Sequence, residues 1–98
     1  MGIEYSLRFS APDADAVAAL LRSLPGATAS SPVGGGPPGH QFDLGADPAG
    51  QDWPAATVQV EPDGAYFCSY GGEPGRAYLG EVVAALVSYF GPVTVEEL

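Results

Sequence analysis

Residues 56–70 read ATVQVEPDGAYFCSY, two alternating runs joined by Pro62-Asp63-Gly64. That pattern is a β-hairpin, and a hairpin commits the chain to antiparallel pairing. In the first run Val58 and Val60 alternate with Thr57, Gln59 and Glu61, so one face is apolar and the other polar. Which face the second run shows depends on the loop. A type I turn with Gly64 in the left-handed region makes a three-residue loop and sets Glu61 opposite Ala65. Directly paired residues share a face, so this reading places Ala65, Phe67 and Ser69 on the polar side. Tyr66, Cys68 and Tyr70 then lie with the valines. A two-residue loop would exchange the two sets.

The other segments supply what such a hairpin must pack against. Ile3, Tyr5, Leu7 and Phe9 alternate with Glu4, Ser6 and Arg8, which predicts a strand with one wet face. Ser10, Pro12 and Asp13 read as a helix start, with Ser10 as cap. Val17, Leu20, Leu21 and Leu24 carry that helix to about residue 24. Residues 25–39 are rich in Gly, Pro and Ser and read as a flexible loop. A short strand follows, with Phe42 and Leu44 inward and Gln41 and Asp43 outward. A second helix is expected over residues 75–90, with Leu79, Val82, Val83, Leu86, Val87 and Phe90 as its core stripe. A last strand has Val93 and Val95 inward and Thr94 and Glu96 outward.

The predicted order is β-α-β-β-β-α-β in a single α+β domain over residues 1–98. Strands with one polar face leave one side of the sheet uncovered, so both helices belong on the other. The expected architecture is a two-layer sandwich with a mostly antiparallel five-stranded sheet, analogous to the ferredoxin-like plan. That analogy concerns architecture and carries no activity with it.

Charge narrows the choice of partner. The chain has 12 acidic and 3 basic residues, a formal charge of −9, and no lysine. Such a field opposes binding to nucleic acid or anionic membranes and favours a cationic partner. The single Cys68 excludes an internal disulfide, and no apolar run reaches the length of a membrane span. A cytoplasmic location is the expectation.

No motif names a reaction. Cys68 is expected to be a buried, inert thiol, and the lone His40 begins a different strand. The run YGGEPGR, residues 70–76, has glycines before a helix but lacks the Lys and Ser/Thr of a phosphate loop. His40, Asp43, Asp47 and Asp52 match neither calcium nor zinc spacing, so no metal and no cofactor are expected. Catalytic residues are therefore not assigned, and the chain is read as non-enzymatic.

The expectation is a small acidic interaction module binding a basic protein partner, as a toxin-neutralising immunity protein does. Its resemblance to those proteins is one of size and charge alone. The candidate binding residues are Glu4, Asp43, Glu61 and Glu96 for charge, with Phe67 and Trp53 as apolar anchors. A second expectation is a ferredoxin-like dimer holding, or acting on, a small molecule between the sheet face and loop 25–39. The second helix offers another homodimer surface through the small residues Ala77, Ala84 and Ser88 around Glu81.

Overall fold

The computed structural model describes residues 3–29, 40–45, 54–70 and 72–98. Its elements are β1 (Ile3–Arg8), α1 (Ala14–Arg22), β2 (Ala27–Ala29), β3 (Gln41–Leu44), β4 (Ala56–Glu61), β5 (Gly64–Ser69), α2 (Gly72–Phe90) and β6 (Thr94–Glu97). The strands form one sheet in the order β2-β3-β4-β5-β1-β6, antiparallel at every pairing. β5 and β6 therefore run in the same direction with β1 between them. The sheet has six strands where five were expected, because Ala27–Ala29 pairs with β3 inside the segment read as loop 25–39. A three-residue edge strand between Gly26 and a Ser/Pro/Gly run is too short to show a period. Residues 30–39 of that loop lie outside the described residues.

The core lies between the helices and one face of the sheet. Leu7, Phe42, Leu44, Val58 and Phe67 meet Leu21 of α1 and Val82 and Leu86 of α2, each at most 1% exposed. Burying each of these side chains stabilises the fold by about 1.5–3 kcal/mol. In α1, Asp13 rather than Ser10 is the cap: its side chain accepts the Ala16 N–H at 2.7 Å. Ser10 is still leaving the sheet, since the Phe9 N–H is bonded to the Asp63 carbonyl. The helix ends at Arg22, where the Ser23 hydroxyl donates to the Leu20 carbonyl at 2.6 Å.

α2 starts one turn earlier than its apolar stripe suggested, with Pro74 in the first turn, where its missing N–H costs nothing. Of the expected stripe, Val82 and Leu86 are fully buried, whereas Val87 is 47% exposed. Gly75 faces the sheet closely enough that a Cβ there would stand 2.0 Å from Ser69 Oγ. Only glycine lets this end of α2 settle on β5.

The main correction concerns the hairpin. Glu61 pairs with Gly64, so Pro62–Asp63 is a two-residue loop. The pairs Val60↔Ala65, Val58↔Phe67 and Ala56↔Ser69 put Ala65, Phe67 and Ser69 under the helices. Phe67, expected on the wet face, is 0% exposed and packs its ring 6.2 Å from that of Tyr5. Gly64 has φ 159, extended rather than left-handed, and a Cβ there would stand 1.9 Å from the Leu7 carbonyl oxygen. The glycine is thus required by close approach to β1, not by a bulge.

This register predicts a sharp contrast between neighbours. Phe67→Ala is expected to lose about 3–5 kcal/mol of unfolding free energy, and Tyr66→Ala about 1 kcal/mol or less. Urea denaturation of both variants measures it, and a larger loss at Tyr66 would restore the three-residue loop. Gly75→Ala should cost about 1–3 kcal/mol by overpacking, part of it recovered when Ser69 is also changed to Ala.

Candidate functional site

The outer face of the sheet can be read off the register as three rows of side chains. Thr94, Arg8, Gly64 and Glu61 form the first. Glu96, Ser6, Tyr66, Gln59 and Gln41 form the second. Glu4, Cys68, Thr57, Asp43 and Thr28 form the third. Four of the expected binding residues, Glu4, Asp43, Glu61 and Glu96, therefore share this face. Phe67 does not, and Trp53 lies outside the described residues. The expected neighbours Ser6, Thr57 and Gln59 are also where the alternation put them.

Tyr66 takes the place assigned to Phe67. It stands opposite Ser6 and Gln59, and its hydroxyl donates to Glu4 Oε1 along the diagonal of the β1–β5 pair. Partial burial, then the hydrogen bond and the negative charge of Glu4, push the Tyr66 hydroxyl well above the ordinary tyrosine range. The bond holds both groups at the centre of the face. The alternation alone could have located Tyr66 only with the loop length in hand.

Cys68 is buried as expected, but on the opposite side of the sheet from the helices. It lies between Glu4 and Thr57, at 8% exposure. His40 precedes Gln41, which faces outward, so His40 is on the helix side. There its Nε2 lies 3.1 Å from Asp15 Oδ1 of α1. The sheet thus separates the cysteine from the histidine, and a Cys–His pair does not form. Among the described residues no group of three His, Cys, Asp or Glu side chains could hold a metal ion. Asp47 and Asp52 lie outside the described residues.

The carboxylates are distributed over four strands of this face. Asp43 on β3 and Glu4 on β1 are three strand spacings apart, about 14 Å. Each carboxylate is paired across the sheet with an uncharged residue: Glu4 with Cys68, Asp43 with Thr57 and Thr28, Glu61 with Gly64, Glu96 with Ser6. No two acids stand directly opposite, which avoids the strongest like-charge repulsion. Arg8 is the one cation in the three rows. Glu4 and Glu96 are diagonal neighbours across β1 and β6, whereas Asp43 and Glu61 stand farther off on β3 and β4.

No helix among the described residues is long and apolar enough to cross a membrane. Compared with protein-family models, curated proteins and solved structures, the chain has no match.

The Tyr66–Glu4 bond gives a pH prediction. A folded-state pKa raised above the ordinary value of 10.0 means that the native state holds a proton which the unfolded state releases first. The contribution is fully present below about pH 10 and is lost as pH rises toward the folded value. Glu4→Gln should therefore lower the Tyr66 ionisation midpoint, followed by ultraviolet absorbance, and flatten the alkaline loss of stability. An unchanged Tyr66 midpoint would remove the bond from the account.

Proposed function

We propose that the chain is a non-enzymatic interaction module whose open sheet face docks a basic protein. The observation that carries this is the gathering of Glu4, Asp43, Glu61 and Glu96 on the one face the helices leave bare. With a formal charge of −9, that face steers a cationic partner into encounter before contacts form. Tyr66, half-buried and held by Glu4, supplies the aromatic contact at its centre. An inhibitor that covers a basic enzyme, in the manner of an immunity protein, is the sharpest form of this reading.

A homodimer through the same face would set these carboxylates against their own copies, so charge favours a different partner over a second copy. The proposal does not involve bond chemistry: Cys68 and His40 lie on opposite sides of the sheet, so they do not form a nucleophile–base pair.

The test is capture from native lysate with the tagged chain beside a variant carrying Glu4→Gln, Asp43→Asn, Glu61→Gln and Glu96→Gln. A basic protein retained stoichiometrically by the wild type is expected to bind the variant at least about tenfold more weakly. Its association rate should also fall steeply between about 0.05 and 0.5 M salt. Equal retention by the folded variant, or binding indifferent to salt, would remove the reading.

A further inference from the structure

Hollows surround the Pro62–Asp63 turn, and the largest of those described, about 470 Å³, opens where the turn, the exit of β1 and the C-terminus of α2 meet. Its volume falls within the range of about 300–1,000 Å³ usual for small-molecule sites. Its apolar part is Pro92 together with Phe9 and Phe90, whose rings are stacked with centroids 5.8 Å apart and planes 13° from parallel. Arg8 and Asp63 also line it, and Ser10 and Thr94 add hydroxyls. Among the described residues no ion pair joins Arg8 to Asp63 or either one to another side chain. Two opposite charges therefore share one hollow with a stacked aromatic pair, and among the described residues neither is paired with a side chain of opposite charge.

That pattern discriminates between classes of small molecule. A simple anion would have one guanidinium to meet and a molecular charge of −9 to overcome. A simple cation would meet Asp63 but also Arg8. A zwitterion meets both groups and carries no net charge against the field. We infer that this hollow binds a small α-amino acid with an apolar side chain. Its carboxylate pairs with Arg8 and its ammonium with Asp63, each a charge-assisted hydrogen bond. Its side chain lies against Phe9 and Phe90 and leaves water there. The site stands apart from the acidic face, sharing only Arg8 and Thr94 with its rim, and does not depend on the protein-docking proposal. For so small a ligand in an open hollow, the expected dissociation constant is on the order of 1 mM.

The experiment is a ¹H–¹⁵N correlation titration of the full chain with L-phenylalanine and L-leucine, up to about 20 mM. Phenethylamine, hydrocinnamate and N-acetylphenylalanine amide are run beside them as probes lacking one charge or both. Saturable shifts are expected at Phe9, Ser10, Asp63, Phe90 and Thr94. The incomplete probes should bind at least about tenfold more weakly. Arg8→Gln and Asp63→Asn are substitutions at exposed positions, and each should weaken binding as much without disturbing the rest of the spectrum. No saturable shift for either amino acid would overturn the inference. So would hydrocinnamate or phenethylamine matching phenylalanine, or unchanged binding by both variants.

Discussion

The two-residue turn at Pro62–Asp63 decides the rest of the structure. It sets Glu61 against Gly64, and because strand residues alternate, every later residue of β5 inherits its side from that pair. β1 then pairs with β5, so the same register carries Tyr5 and Leu7 to the core and Glu4 and Ser6 to the open face. A shift of one residue would exchange Phe67 for Tyr66 beneath the helices. It would also place a Cβ-bearing residue where Gly64 meets the Leu7 carbonyl oxygen. The bare glycine and the full burial of Phe67 thus favour the same register, and neither is compatible with the alternative.

Much of this was legible in the sequence. The strands at residues 3–8, 41–44 and 56–61, the two helices and the single uncovered face follow from alternation and helical spacing. Each of those segments has enough residues to show its period. What alternation cannot supply is phase across a turn. Pro-Asp-Gly is compatible with either loop length, and β5 carries aromatic residues on both of its faces, Phe67 on one and Tyr66 on the other. The chemical difference that chose between them is small but decisive. Phe67 has no polar atom to satisfy in the core, while the Tyr66 hydroxyl finds a carboxylate on the outer face. Four of the six candidate residues were placed correctly because they lie on strands whose phase did not pass through that turn or was set before it. Phe67 was misplaced because it follows the turn.

The placement of the helix packing is similarly local in origin. The Gly75 approach to Ser69 brings the start of α2 down onto β5, directly after the strand that the turn has phased. At its far end the helix is anchored by Phe90 stacked on Phe9, the residue with which the chain leaves β1. α2 is therefore fixed at one end by the absence of a side chain and at the other by a pair of aromatic rings. Val87, between these anchors, is left half in solvent, and β6 is the edge of the sheet.

That edge shows how the acidic character serves the fold as well as any partner. β6 presents Thr-Val-Glu-Glu, and all of its residues are exposed. Adjacent strand residues point to opposite faces, so Glu96 guards the open side and Glu97 the helix side of the same edge. Any strand adding itself there would have to accommodate a carboxylate on both faces, and a second copy would bring the same charges with it. A sheet with one bare face and a free edge is exposed to self-association through both. Here the same sign of charge protects both, while leaving the bare face attractive to a partner of opposite charge. The acidity of the chain therefore has a structural reason independent of any partner, and the outer-face carboxylates are placed where they can serve both ends.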